Sequence, residues 1–274
     1  MRIPTPVVAT VGTVAATALL EFDRKTRQTA ERFGAAALES LLNAIDANDP
    51  DTGAHVRRVA TYALILADAG GLGDNEQHQI ERVALFHDIG KIHHALFDII
   101  HETSRLNRAE RRAIATHPQR GADVLAPLAA FYPELPAGIL SHHERWNGTG
   151  YPRGLKARRI PIAARIVAIA DTFDAITHHR RYSDGRSVTK AHDILLEGRG
   201  SQFDPEWLDL FLLPPVFAEI CREEKRIAKW RKPTQHRRTG KDESWVPDVI
   251  FRWRPGRTGS RGRPASDEAR RSER

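Results

Sequence analysis

The sequence predicts an all-α protein. Three observations carry this. Apolar residues recur at i, i+3, i+4 and i+7 in segment after segment; no run alternates apolar and polar residues as a half-buried strand would; and Gly, Pro and Asn punctuate the helical segments at intervals a helix bundle requires. The 274 residues suffice for one good-sized core or two small ones. Hydrophobic content of 41% against 28% charged residues places the chain with ordinary globular proteins rather than disordered or membrane-embedded ones.

The elements follow in order. Val7 to Leu20 is an apolar run, shorter than the ~20 residues a spanning helix needs. It reads as a signal, a weak anchor, a misassigned start or a mobile leader, and Arg24, Lys25 and Arg27 suit a cytoplasmic flank if it inserts. Thr29 to Ala47 is helical, with Phe33, Ala36, Ala37, Leu41 and Ile45 on one stripe, and Asn48-Asp49-Pro50 breaks it. A second helix, from about Gly53 to Ala69, carries Val56, Val59, Ala60, Ala63 and Leu64, and Gly70-Gly71 stops it. A third runs from Glu76 into His87. A fourth covers Asn107 to Thr116 and ends before Pro118, another follows from Gly121, and one more runs from Pro136 to His143. The Gly/Pro-rich stretch Asn147 to Gly154 is a loop. A long helix begins near Pro161, a residue suited to a first turn, and continues through Asp171 to about His178. A last pair ends near Leu213, before Pro214-Pro215. The expected organisation is a leader or N-terminal helix over 1–29, a packed domain over 30–215, and a basic, largely flexible tail over 216–274.

Charge and cysteine content narrow the function classes. From Cys221 to Arg274 there are seventeen Lys/Arg against eight Asp/Glu, a net of +9, which leaves −2 on the other 220 residues of a chain whose total is +7. The body is therefore near neutral. The basic tail reads either as a solvated extension or as a contact for nucleic acid or an anionic membrane, with the apolar island Trp245, Val246, Ile250, Phe251 and Trp253 inside it. A single cysteine, Cys221, excludes a disulfide framework and a thiolate zinc site within the chain, and fits a reducing compartment.

The thirteen histidines are unevenly placed. His87 follows Ile80, Val83 and Ala84 at i−7, i−4 and i−3, so it lies on the buried face of its helix. A lone histidine there is usually a satisfied core residue. Its neighbour Asp88 changes the reading, because an unpaired buried carboxylate is costly unless a cation compensates it. The oddity recurs: His55 with Asp51 four residues before it, His117 after Ala113 and Ile114, His142-His143 after Ile139 and Leu140, and Asp171 on the stripe of Ala164, Val167, Ala168 and Ala175. Imidazoles and carboxylates from several helices are thus expected to point at one interior. Such donors without thiolate suit Fe, Mn, Ni or Zn, and two metals a few Å apart can generate a hydroxide and clamp a phosphate for in-line attack.

The segments Asp51-Thr52-Gly53-Ala54-His55, His87-Asp88-Ile89-Gly90-Lys91, His117-Pro118, His142-His143-Glu144-Arg145-Trp146-Asn147-Gly148-Thr149-Gly150-Tyr151-Pro152 and Ala170-Asp171-Thr172-Phe173-Asp174-Ala175-Ile176-Thr177 stand in an order and at spacings that resemble the HD-GYP family. The resemblance covers about Leu38 to Leu213. It implies a five-helix HD core with extra helices, and metal-dependent hydrolysis of cyclic di-GMP to pGpG or GMP. It also implies two or three divalent ions, Fe or Mn. By the same resemblance His55, His87, Asp88, His117, His142, His143 and Asp171 match metal-ligand positions. Asp51 matches a place where some members carry a glutamate at a third metal. Lys91, with Asp88 beside it, is assigned to the catalytic step. Gly150, Tyr151 and Pro152 border the substrate pocket, and Arg180 matches a phosphate contact.

Asp174 reads as structural or as a support behind the ligands, Glu144 and Trp146 as scaffold, and His93, His94, His178 and His179 as surface residues. The chain departs from the family pattern in two places. His93 to Asp98 replaces the usual Gly-Ile-Pro-Asp after the Lys-Ile pair, and Ser183 stands where a basic residue is usual, with Arg181 or Arg186 as substitutes. No receiver, PAS or other sensor domain is recognisable beside the domain, so regulation is expected from the leader, the tail, a protein partner or oligomerisation. The alternatives are a cyclic di-GMP receptor or adaptor without turnover, and an HD phosphohydrolase of another nucleotide. A cytoplasmic protein is expected, membrane-associated if the apolar segment inserts.

Overall fold

The computed structural model describes residues 5–92, 107–178 and 187–230, without the side chains of 5–23, 27–28 and 228–230. Ten α-helices make up the described chain: α1 Thr5–Asn48, α2 Pro50–Ala69, α3 Asp74–Phe86, α4 Arg108–Ile114, α5 His117–Leu125, α6 Glu134–Ser141, α7 Ile162–Thr177, α8 Val188–Glu197, α9 Pro205–Leu212 and α10 Pro214–Trp230. Short 3-10 turns cover Ile89–Ile92, Ala126–Leu128 and Ala157–Arg159. No strand occurs among the described residues, so the all-α reading holds.

The helix ends follow from local chemistry. The Asp49 carboxylate accepts from Asp51 N and Thr52 Oγ1, which caps α2 with Pro50 in its first turn. Gly71 adopts φ +71° and lets the chain turn away after α2, with Leu72 N–H donating back to the Ala67 carbonyl. Asn107 and Glu110 form a reciprocal cap on α4: Ala109 and Glu110 N–H donate to Asn107 Oδ1, and Asn107 N–H donates to Glu110 Oε2.

Helix α2 is the central strut. Twelve of its twenty residues are buried, so it is enclosed on most sides rather than packed along one stripe. Helices α1, α3, α7 and α10 pack around it. The core joins Val59, Tyr62 and Leu66 of α2 with Ile80, Val83 and Phe86 of α3 and with Ile166, Ile169 and Phe173 of α7. Phe173 meets the rings of Tyr62, Phe211 and Phe217 edge-on, which ties α7 to α9 and α10.

Four expectations change. The leader and the helix expected at Thr29 are one helix of 44 residues, about 66 Å long. Its buried stripe is Ala35, Leu38, Leu42 and Ile45, while Phe33 is 66% exposed; the Ala-rich stretch 35–37 accommodates either register by composition. His117-Pro118 opens α5 instead of ending α4, because proline is tolerated in a first turn whose N–H groups lack helical partners anyway. For the same reason Pro214-Pro215 starts α10, and Val216, Ile220 and Ile227 bury against the core, so the segment 216–230 belongs to the packed body. Residues 231–274, including the Trp245 to Trp253 island, lie outside the described residues. No helix among the described residues is long and apolar enough to cross a membrane.

Substitutions at two apolar residues check this packing. Ile220, fully buried, should lose about 2–5 kcal/mol of unfolding free energy on Ile220→Ala. Phe33→Ala, at an exposed position, should stay within about 0.5 kcal/mol of the unsubstituted protein. Urea unfolding measures both, and the reverse order would restore the stripe read from the sequence.

Candidate metal centre

Five helices deliver the seven expected ligands to one interior. His55 comes from α2, His87 and Asp88 from the end of α3, and His117 from the first turn of α5. His142 and His143 follow α6, and Asp171 lies on α7. They fall into two groups, each with its donor atoms within 4.8 Å of one another: His55, His87 and Asp88, and His117, His142 and His143. Asp171 joins the first, with Oδ1 3.3 Å from His55 Nε2 and 3.9 Å from His87 Nε2. Asp88 belongs to both. Its Oδ2 stands 3.5 Å from His87 Nε2 and 3.8 Å from His55 Nε2, while Oδ1 stands 3.2 Å from His117 Nε2 and 3.9 Å from His142 Nε2.

The main chain sets the tautomers. His87, His117 and His142 each direct Nδ1 at the carbonyl three residues back, Ala84, Ile114 and Ile139, at 2.8, 2.7 and 2.6 Å. A carbonyl only accepts, so Nδ1 carries the proton and Nε2 faces the interior. Burial pushes the His87 pKa down, and His142 lies well below its ordinary value through burial and the neighbouring His143, His87 and His117 rings. Burial also pushes His143 down to about 4. These imidazoles are neutral, the state that binds metal.

The residues fit a cation by a direct test. His87 Nε2 is buried without a hydrogen-bond partner, and its lone pair faces the carboxylate oxygens of Asp88 and Asp171. His142 Nε2 likewise aims at His117 Nε2 from 3.0 Å. Lone pairs opposed to acceptors in a dry interior are unfavourable until a positive ion sits among them. Nitrogen and carboxylate donors without sulfur suit Fe, Mn, Ni or Zn.

Burial alone would raise the Asp88 pKa, but the Lys91 ammonium and His87 hold it well below the usual carboxylate range. Lys91 Nζ donates to Asp88 Oδ2 at 2.6 Å from the 3-10 turn that follows α3. That turn presses on α5: a Cβ at Gly90 would lie 2.1 Å from the His117 carbonyl oxygen and 2.7 Å from Gly121 N, so only glycine lets Asp88 and His117 approach.

The Gly150-Tyr151-Pro152 loop closes one side. A Cβ at Gly150 would run into the Glu144-Arg145 backbone at 2.3–2.6 Å. The buried Glu144 carboxylate accepts from Arg153 N and Leu155 N and fixes the loop from below. Tyr151 stacks on His143, ring centroids 5.0 Å apart, and burial pushes its phenol up to about 12, so it stays a neutral donor.

Asp51 stands exposed in the first turn of α2, one turn before His55, and belongs to neither group. Arg180, Arg181, Ser183, Arg186, His93, His94, His179 and the segment after Lys91 lie outside the described residues. His178, read as a surface residue, is buried with Nδ1 3.1 Å from Asp174 Oδ1. Arg58 was missed altogether: it is buried and donates twice to Asp174. Its signal was an arginine one turn after His55 on the enclosed helix, where a charge needs a carboxylate partner.

A profile of the HD domain family matches residues 39–207. The chain belongs to the HD domain family. The motifs that resemble the HD-GYP type agree with the relatives. One is a 3'3'-cGAMP-specific phosphodiesterase of Vibrio cholerae, 36% identical over 175 residues, which cover 63% of this chain and 33% of that protein. Another is the cyclic di-GMP phosphodiesterase response regulator RpfG of Xanthomonas campestris, 35% identical over 194 residues, 70% of this chain and 49% of that one. The chain thus spans about a third to a half of the length of these curated relatives. Among solved structures, a cyclic GMP-AMP specific phosphodiesterase of V. cholerae aligns at a TM-score of 0.52 with 22% identity, over 75% of this chain and 51% of that one, which supports the fold of this HD domain.

Gly90→Ala is expected to separate the Lys91 turn from α5 and pull Asp88 Oδ1 away from His117. Overpacking of this kind costs about 1–3 kcal/mol, and the protein should retain less than its full complement of metal by elemental analysis. Unchanged metal content and stability would show that the close approach is not what joins the two groups.

Proposed function

We propose that this HD domain is a metal-dependent phosphodiesterase that hydrolyses cyclic di-GMP to pGpG or GMP. The observation that carries the reading is the Asp88 carboxylate shared between two ligand groups with Lys91 beside it. The relatives' names supply the substrate class. His55, His87, Asp88 and Asp171 would hold one divalent ion, and His117, His142, His143 and Asp88 the other, with Fe or Mn the proposed metals. Such ions supply positive charge to phosphate oxygens and acidify a water molecule.

The chain's own residues do the rest. The Lys91 ammonium meets the developing charge on the phosphodiester and gives a proton to the departing 3′-oxygen. The new P–O bond comes from water as the P–O3′ bond breaks, and the proton lost by water balances the one taken up by the leaving group. Tyr151 and the loop held by Glu144 shield one side from bulk solvent and offer an aromatic face to the substrate. Arg180 is proposed as a phosphate contact. A second reading, hydrolysis of 3'3'-cGAMP, is favoured by the name of the V. cholerae relative.

Anaerobic purification with elemental analysis, then chromatography after incubation with each cyclic dinucleotide, tests the proposal. Two ions per chain and pGpG or GMP from cyclic di-GMP are expected. Lys91→Ala should keep both ions and lose about 10²-fold or more in turnover. Turnover of 3'3'-cGAMP alone would select the second reading. Bound metal without turnover of either would point to a receptor or to another nucleotide.

A further inference from the structure

Beneath the first ligand group lies a second row of polar side chains on the same two helices. Arg58 follows His55 by one turn on α2, Asp174 follows Asp171 by one turn on α7, and His178 follows Asp174 by another. We propose that Arg58 and His178 are positioning residues for the first ligand group, acting through Asp174 on His55. The proposal rests on the metal-centre reading above and adds residues that the ligand motifs do not contain.

Asp174 is 1% exposed, and four donors converge on its carboxylate. Oδ2 accepts from His55 Nδ1 at 2.7 Å and from Arg58 Nη2 at 2.8 Å. Oδ1 accepts from Arg58 Nε at 2.6 Å and faces His178 Nδ1 at 3.1 Å. Three of these are hydrogen bonds, and the fourth approach, from His178 Nδ1, is shared with Thr177 Oγ1 at 3.2 Å. A carboxylate so engaged is a weaker base toward each donor, which leaves the shared proton on His55 Nδ1 and fixes the ring with Nε2 toward Asp171 and Asp88.

His55 is therefore oriented by different means from the other three imidazoles. His87, His117 and His142 rely on main-chain carbonyls three residues back along the chain, which no side-chain substitution removes. His55 relies on a side chain from another helix, itself held by two more. His178 is the telling member. It is buried, its Nε2 has no hydrogen-bond partner, and its Nδ1 lies 3.1 Å from Asp174 Oδ1 and 3.2 Å from Thr177 Oγ1. Burying an imidazole with one nitrogen unsatisfied is unfavourable, and of the two acceptors its Nδ1 faces, the charged Asp174 carboxylate is the stronger. Partners behind a ligand typically change metal affinity 10–100-fold.

The test is Mn²⁺ affinity, by competition with a metallochromic chelator, in two backgrounds. His143→Ala leaves the first group as the complete set; Asp171→Ala leaves the second. His178→Phe removes the donor and keeps a ring in the space. Roughly ten-fold weaker binding is expected in the His143→Ala background and none in the Asp171→Ala background. His178→Gln, whose amide can donate to Asp174, should restore most of the loss. Arg58→Met should act in the same direction, and thermal unfolding of the metal-free proteins controls for damage to the fold. Equal affinities with and without His178→Phe, equal losses in both backgrounds, or losses that follow the metal-free melting temperature would overturn the proposal. Failure of the unsubstituted protein to bind Mn²⁺ would instead remove the metal-centre reading itself.

Discussion

A single buried carboxylate organises this domain. Asp88 is 4% exposed, with two imidazoles facing each of its oxygens and the Lys91 ammonium on one. Water cannot solvate it, so its charge has to be met by what the fold brings to it. The fold brings material from five helices. The end of α3 places Asp88, the glycine at position 90 lets α5 come within backbone contact, and α6 ends where two successive histidines face the same interior. Remove the charge at Asp88 and the lone pairs of His55, His87, His117 and His142 have no common centre.

The surrounding architecture keeps these donors rigid without using many side chains. Helix α2 is enclosed by α1, α3, α7 and α10, so His55 is carried by a helix packed on most sides. Three imidazoles are oriented by carbonyls of their own last or preceding turn, an arrangement that comes with the helix ends themselves. The loop of Gly150 to Pro152 is fixed from beneath by Glu144 rather than by its own packing, so the substrate side is held by one buried carboxylate and the metal side by others. Donors held in this way would cost little reorganisation as charge develops in the proposed reaction.

Much of this was legible in the sequence, and the reasons are specific. His87, His117, His142 and Asp171 stood out because each fell on an apolar stripe, where only compensation explains it, and the resemblance of the surrounding motifs added their neighbours Asp88 and His143. The α-helical class was readable from period alone. The misreadings have equally local causes. By sequence alone Pro118 and Pro214 mark helix ends, although a first turn tolerates proline as readily as a terminus does. The stripe of α1 slipped because alanines at 35 to 37 fit either register. Arg58 escaped because its partner Asp174 lies 116 residues away, beyond any spacing rule, and His178 because it stands at the very end of α7, where a histidine four residues after an aspartate reads equally well as exposed.

The most direct measurement is anomalous diffraction from crystals grown with Mn²⁺, recorded across the manganese edge. Two peaks are predicted on either side of Asp88. One would lie among His55, His87 and Asp171, and the other among His117, His142 and His143, with one carboxylate oxygen directed at each. A single peak, or two peaks with Asp88 bound to neither or to only one, would contradict the shared carboxylate on which the proposed chemistry depends.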